Sequence, residues 1–235
     1  QGITELTGGD FVISSPNWDN GGTADAGAVT VISGTLGTTV TGAGTTVTTS
    51  NSLHGTTASD QVGIGAVVAL STGNFGVISA FWDGSVVNAG AATLVSGTTG
   101  QAIADSSFVV STSNSVHGTT ANDQIGNNSL IALTNGNFVV TSQTWDGAAV
   151  DVGAATLVDG TTGRALADSS FVVSTSNSIH GTTASDQVGR GNITELTGGN
   201  YVVISQDWDN GGTANVGAVT LVDASTGAAF TGGSY

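Results

Sequence analysis

A repeat of about 63 residues runs through this 235-residue chain and constrains its fold more than any other feature. The segment Thr112–Gly126 (TSNSVHGTTANDQIG) recurs almost letter for letter at Thr49–Gly63 and Thr175–Gly189. A Trp-Asp pair recurs at nearly the same interval: Trp18-Asp19, Trp82-Asp83, Trp145-Asp146 and Trp208-Asp209. A fixed period of this size is typical of stacked or ring-arranged supersecondary units. We therefore predict a single repeat domain, 1–235, with units at about 1–63, 64–126, 127–189 and 190–235.

The third unit predicts four strands and no helix. Apolar and β-branched runs separated by Gly, Asn and Asp turns occupy Ser129–Thr134, Asn137–Thr144, Val152–Asp159 and Ser170–Ser176. The first turn contains Asn135-Gly136, a hairpin signal that requires positive φ. No segment places apolar residues at helical spacing over about 11 residues. The expected fold class is therefore all-β.

The fourth unit is shorter than the others. Aligned on unit three, Tyr235 falls opposite Phe171, where the predicted fourth strand begins, so we expect the last unit to lack its outer strand. Four-stranded units of this length favour propeller blades over a sandwich or a parallel β-solenoid, whose coils are shorter. The predicted architecture is a β-propeller of four blades, the last without its outer strand.

Units one and four resemble each other more than they resemble the middle units. Both contain ITELTGG, at Ile3–Gly9 and Ile193–Gly199, and both contain WDNGGTA, at Trp18–Ala24 and Trp208–Ala214. Units two and three instead share GAATLV. Either this is chance divergence, or the two ends of the chain perform equivalent roles.

The charge balance excludes several classes of partner. Seventeen acidic residues stand against two basic ones, Arg164 and Arg190, which gives a net charge of −15. Nucleic acids and anionic membranes both require basic surfaces, so neither is an expected partner.

The chain has no cysteine, and the sequence contains no transmembrane run. Together with the lack of lysine and the abundance of Gly, Thr, Ser and Asn, this predicts a bacterial extracellular or cell-surface protein. Gln1 is then either the residue left by signal cleavage or a sequence boundary.

The repeated histidines and aspartates have a catalytic or metal-binding interpretation and a structural one. The residues concerned are His54, Asp60, His117, Asp123, His180 and Asp186. Histidines from consecutive blades would lie far apart at the rim, so a ring bonded to local backbone is the favoured interpretation over a shared metal. The aspartates can cap backbone amides in the turn before each glycine. We therefore expect linker-turn residues here and no metal site.

The tryptophans also have two interpretations. Each ring could fill the space between neighbouring blades, with its N–H bonded locally. Alternatively, each Trp-Asp pair, from Trp18-Asp19 to Trp208-Asp209, could form a shallow sugar-binding shelf. Packing is favoured because every unit has the pair whatever the length of its loop. The pairs remain candidate ligand or interface residues.

The residues give no support to an enzyme. There is no GxxxxGK[ST] motif for phosphate chemistry, and Ser and His recur at equivalent positions in units one to three, whereas catalytic sites are single constellations. Glu5 and Glu195 are the only glutamates and are equivalent by repeat, so no asymmetric carboxylate pair is available.

The order of short motifs resembles a known blade. Asp123-Gln124-Ile125-Gly126, then Gly136–Val140 (GNFVV), then Gly153–Leu157 (GAATL) resemble the FG-GAP repeats of integrin-α-type propellers. The chain is also similar to tandem repeats of large, uncharacterised bacterial surface proteins. The FG-GAP resemblance would imply calcium in a DxDxDG loop. Here that loop is Ser71–Asn74 or Thr134–Asn137, which lacks the aspartates, so calcium is not carried over and no cofactor is expected.

The expected function is therefore that of a non-enzymatic extracellular structural or adhesion protein. Its open blade edge is predicted to drive self-assembly into a filament or surface layer, or contact with another surface protein, because an unpaired edge is usually covered. The alternative function is a multivalent lectin with one carbohydrate site per blade.

Overall fold

Fifteen short β-strands and no helix form the part of the chain that the computed structural model describes, residues 2–230. Unit one contains β1 (Gly2–Glu5), β2 (Phe11–Ser15), β3 (Ala28–Ile32) and β4 (Ser52–His54). Unit two contains β5 (Val67–Ala69), β6 (Phe75–Ser79), β7 (Ala91–Val95) and β8 (Ser115–His117). Unit three contains β9 (Ser129–Ala132), β10 (Phe138–Ser142), β11 (Ala154–Val158) and β12 (Ser178–His180). Unit four contains β13 (Ile193–Glu195), β14 (Tyr201–Ser205) and β15 (Ala218–Val222).

The strands of each unit form one antiparallel sheet in sequence order. The sheets are β1-β2-β3-β4, β5-β6-β7-β8, β9-β10-β11-β12 and β13-β14-β15. This confirms the all-β fold class, the four units of about 60 residues and the three-stranded sheet of the last unit. Tyr235, on which the alignment of the missing strand was based, lies outside the described residues. In residues 2–230 no helix is both long enough and apolar enough to cross a bilayer.

The hairpins form where glycine and asparagine interrupt the apolar runs. In unit three, Phe138 of β10 pairs with Ala132 of β9, and the chain turns between them with Gly136 at a φ of 90°. A residue with a side chain rarely adopts this φ, so glycine permits the turn. Inside the sheet, every residue of β10 and β11 is buried.

The fourth strand differs from its sequence-based prediction. Ser170–Ser176 is not the fourth strand of unit three; that strand is β12, inside the His-containing segment. Val172 instead forms a parallel bridge to His117 of the preceding unit, and the backbone bonds run from His117 N to Phe171 O and from Val173 N to His117 O. The apolar run therefore pairs between units rather than within its own sheet.

The apolar core lies between consecutive sheets. One cluster joins units one and two, a second joins units two and three, and a third joins units three and four. No cluster of buried residues in 2–230 joins unit four back to unit one. The sheets are thus stacked as blades are in a propeller, but they do not close a ring.

Candidate functional site

We call the repeated segment Thr112–Gly126 and its two equivalents the links, and the loop that begins with each Trp-Asp pair the Trp loop. The aspartate of each link hydrogen-bonds the backbone of two turns, one in its own link and one in a Trp loop. Asp123 Oδ2 accepts hydrogen bonds from the backbone N of Thr119 (2.9 Å) and Thr120 (2.8 Å) in its own link. Its Oδ1 accepts from the backbone N of Asp146 (3.0 Å), in the Trp loop of the following unit. The side chain is fully buried, and this burial raises the pKa of the Asp123 carboxyl group. The equivalent aspartates, which make the same three bonds, are Asp60 and Asp186.

The glycine after each histidine makes room for this carboxylate. A Cβ on Gly118 would lie 2.5 Å from Oδ2 of Asp123 and 2.7 Å from the carbonyl oxygen of Ala89. Both distances are shorter than van der Waals contact, so no side chain fits here without displacing its neighbours. The link segment is therefore a structural joint between units, in which the histidine, glycine and aspartate act together.

The histidines lie at the ends of strands rather than in turns. His54 and His117 are buried, and their Nδ1 atoms bond to the backbone oxygens of Gly55 (2.9 Å) and Ser115 (2.9 Å). His180 is partly buried and bonds to Gly181 O at 2.8 Å. The rings thus bond local backbone. Residues 2–230 contain no group of three or more His, Asp or Glu side chains arranged to hold a metal ion.

The tryptophans pack beside the histidines of their own units. The ring centroids of Trp82 and His117 are 6.3 Å apart in an edge-to-face arrangement, and those of Trp145 and His180 are 6.2 Å apart. Both tryptophans are only 4% exposed. A sugar needs an open aromatic face on which to stack, so units two and three offer little area for the predicted shelf. Trp18 and Trp208, in the outer units, are partly buried.

The aspartate after each tryptophan caps its own loop. Oδ1 of Asp83 accepts from Asn88 N at 2.7 Å, and Oδ1 of Asp146 accepts from Asp151 N at 2.8 Å. Asp19 and Asp209 cap the longer loops of the outer units in the same way. Each of these carboxylates has a structural partner, as expected of turn residues.

Buried asparagines stabilise the chain just before the fourth strand of units one to three, and the sequence analysis did not identify them. Asn114 Oδ1 accepts bonds from Ser111 N and Ser115 Oγ, while its Nδ2 donates to Val109 O and to the carboxylate of Asp105. Asn51 and Asn177 occupy the same position. Their strict recurrence in the TSNS motif is the signal that could have identified them.

The end of unit four has an exposed apolar surface. We call the side of each sheet that packs on the following unit its tail face. The equivalent tail-face leucines of the first three units, Leu6, Leu70 and Leu133, are at most 4% exposed, whereas Leu196 is 41% exposed. Leu94 and Leu157 are similarly buried, whereas their equivalent Leu221 is 38% exposed. The exposed tail face of unit four consists of Leu196, Val202, Val219, Leu221 and Phe230.

The opposite side of unit one is exposed in the same way. We call the side of each sheet that packs on the preceding unit its head face. Leu130 of unit three is buried against unit two, whereas its equivalent in unit one, Ile3, is 74% exposed. Phe75 and Phe138 are fully buried, whereas their equivalent Phe11 is only partly buried. The head face of unit one consists of Ile3, which is exposed, Phe11 and Ile13, which are partly buried, and Ile32, which is buried. The two end faces are the candidate functional site; contact through the open blade edge of unit four stays a prediction.

Both cations of the chain are engaged locally. Arg190 Nη1 is 2.7 Å from Asp207 Oδ2, and the guanidinium of Arg164 lies 4.1 Å from the centroid of the Phe171 ring. Neither arginine therefore contributes to a basic patch.

Comparison with protein-family models matches the chain to a repeat family. The family described as "Repeat of unknown function (DUF5650)" matches four times, at residues 5–64, 69–127, 132–190 and 195–231. The four matches follow the four sheets. A search of curated proteins finds no match.

Proposed function

The chain belongs to the DUF5650 family of repeats of unknown function, and we propose that it is a self-assembling structural protein. In this proposal it is non-enzymatic and is located outside the cell or on its surface. Successive units provide stiffness and length, and copies associate end to end into a filament or layer.

The observation that supports this proposal is the pair of exposed end faces. Inside the chain, every tail face is covered by the next head face, and the side chains at that junction are buried. At the ends, equivalent positions carry side chains as apolar as those inside, including Val219 at 64% exposure and Ile3 at 74%. An exposed, contiguous apolar patch of this kind marks an interaction surface. A head-to-tail contact between copies produces a filament if the rotation does not close a ring.

The repetition of side chains supports a structural role over catalysis. The histidines of units one to three and the link and Trp-loop aspartates hydrogen-bond backbone atoms of the same or the neighbouring unit. The tryptophans of units one to three pack against the histidines of their own units. A reaction centre needs a nucleophile or base free to meet a substrate. The FG-GAP resemblance and adhesion to another surface protein remain parts of the proposal.

The test is the state of association of the whole chain. Size-exclusion chromatography with light scattering should give a mass that rises with protein concentration in multiples of 22.8 kDa. Negative-stain electron microscopy of the same fractions should show elongated particles of uniform width. A constant mass of one chain at all concentrations would contradict the proposal.

A further inference from the structure

We propose that the tail face of unit four packs on the head face of unit one of a second copy, with Thr197 of the first copy donating hydrogen bonds to Glu5 of the second. The inference rests on the proposed end-to-end association and specifies its partner, its direction and its register. The junction between units three and four inside the chain provides the geometry.

The apolar part of that junction has its counterpart at the two ends. Between units three and four, Leu133, Val139 and Leu157 pack against Tyr201, Val203 and Val222. The equivalent tail positions of unit four hold Leu196, Val202 and Leu221. The equivalent head positions of unit one hold Phe11, Ile13 and Ile32. Every position therefore keeps an apolar residue of similar volume, as a buried contact requires.

The polar part of the junction specifies which units meet. Oε1 of Glu195, on the head side of unit four, accepts hydrogen bonds from the backbone N of Thr134 (2.9 Å) and from its Oγ1 (2.6 Å). Units two and three carry Ala69 and Ala132 where unit four carries Glu195. Only unit one has a second glutamate at this position, Glu5.

Glu5 has no such donor among residues 2–230. It is exposed, and its carboxylate accepts no hydrogen bond from residues 2–230. Thr197 is the equivalent of Thr134 and is also exposed. Placing unit one of a second copy on unit four repeats the bond between Thr134 and Glu195 as a bond between Thr197 and Glu5. This accounts for the glutamate that the two ITELTGG segments share, Glu5 and Glu195.

A second copy fits better than the other occupants. Closure onto the chain's own unit one is disfavoured because no apolar cluster of the described residues joins units four and one. A tail-to-tail dimer would bring two copies of Thr197 together and leave Glu5 exposed. Only the head-to-tail contact pairs the carboxylate with its donor.

The test uses two variants, one with its tail face blocked and the other with its head face blocked. Val219→Asp places a charge on the tail face, and Ile3→Asp places one on the head face; both side chains are mostly exposed, so the fold should persist. Each variant alone should be monomeric by light scattering. An equimolar mixture should form a one-to-one dimer and nothing larger, because each partner contributes its single intact face. Val87→Asp is the matched control: Val87 is 59% exposed but lies on neither face, so this variant should assemble like the unaltered chain.

The hydrogen bond is tested separately. Glu5→Ala introduces the residue that units two and three carry at this position, and Thr197→Val removes the hydroxyl donor. In the mixed dimer, Glu5→Ala should raise the dissociation constant about ten-fold or more, as expected for loss of a charge-assisted bond. Thr197→Val should add little once Glu5 is alanine. Circular dichroism should show that every variant keeps its β-sheet content.

The outcomes separate this inference from the proposed function. If both blocked variants still assemble, copies associate through another surface, and the inference is wrong while the proposed function stands. The same conclusion follows if the mixture forms no dimer although the unaltered chain assembles. A monomeric unaltered chain would overturn both, and a further repeat or another protein would then be the occupant of the end faces.

Discussion

At the scale of single residues, the two oxygens of each link aspartate explain why this position is not asparagine. Both carboxylate oxygens of Asp123 accept bonds from backbone N–H groups, three in all. An amide has only one acceptor oxygen, and its NH₂ group would face a donor. The buried charge has a cost, because burial raises the pKa of the carboxyl groups of Asp123 and Asp60. The three bonds oppose that cost.

Asp123→Asn should therefore destabilise the chain. At least one buried N–H then has no acceptor, which lowers the free energy of unfolding by about 1–3 kcal/mol. Part of this loss is offset, because a neutral asparagine avoids the cost of burying a charge. Urea denaturation followed by tryptophan fluorescence measures the loss. Asp25→Asn is the control, because it removes one charge from a side chain that accepts no hydrogen bond within residues 2–230. Equal stability of the two variants would contradict the role of Asp123.

Tyr201 provides a second prediction, in which the substitution raises the stability of the chain. Its side chain is fully buried, and its hydroxyl has no hydrogen-bond partner among the described residues. The same burial raises the pKa of Tyr201. At the equivalent position, units two and three have phenylalanine, at Phe75 and Phe138.

Tyr201→Phe should stabilise the chain, because a desolvated hydroxyl without a partner costs roughly 1–3 kcal/mol. The reciprocal variant Phe138→Tyr should lose stability for the same reason. Thermal unfolding of both variants, compared with the unaltered chain, tests the pair. A lower melting temperature for Tyr201→Phe would show that its hydroxyl is satisfied in solution.

At the scale of elements, the link and the Trp loop form a joint that depends on close backbone approach. Gly118→Ala should destabilise the chain by about 1–3 kcal/mol, the usual cost of overpacking, because its Cβ would meet Asp123 and the Ala89 backbone. Gly8→Ala is the matched control, since its Cβ would lie in open space and no positive φ is required there. Chemical denaturation of both variants measures the difference. Similar stabilities would show that the joint can relax.

Most elements could be predicted from the sequence because their signals are local. Apolar runs and Gly or Asn turns indicated the first three strands of each unit, and the period indicated the number of sheets. The fourth strand could not be predicted in this way. Phe171–Val173 is apolar and β-branched, but its partner His117 is in the preceding unit, and no local pattern encodes that pairing. The strand Ser178–His180 pairs within its own sheet, but its short polar sequence carries no strand pattern and is typical of a link.

The end faces were beyond sequence reasoning for a related reason. The repeat establishes that Leu196 and Leu133 are equivalent, but not which side of a sheet meets the next unit. Exposure differs between equivalent residues only because their neighbours differ. The repeat therefore identifies which residues are equivalent, but it does not predict that those of the end faces are exposed.

At the scale of the whole molecule, contacts between consecutive units make stability a sum of unit and interface contributions. Units two and three have a neighbour on both faces, whereas units one and four have one neighbour each within the chain. The outer units should therefore open more readily than the inner ones.

Hydrogen exchange at low protein concentration should show this gradient. Amides of β6, β7, β10 and β11 should be protected most, and those of β14 and β15 should exchange faster. End-to-end association at high concentration should raise the protection of β1 and β2 and of β14 and β15, and leave that of the inner sheets unchanged. Equal protection of all four sheets would instead indicate a single cooperative unit, contrary to the nearest-neighbour description.

The hydrogen bonds of the link aspartates have a further consequence at this scale. Each Oδ1 reaches forward to the Trp loop of the following unit, from Asp60 to Asp83, from Asp123 to Asp146 and from Asp186 to Asp209. The stack of sheets therefore has a direction, and its two ends present different chemical groups. An assembly built from it has a plus and a minus end, and a fluorescent seed should elongate at different rates in the two directions.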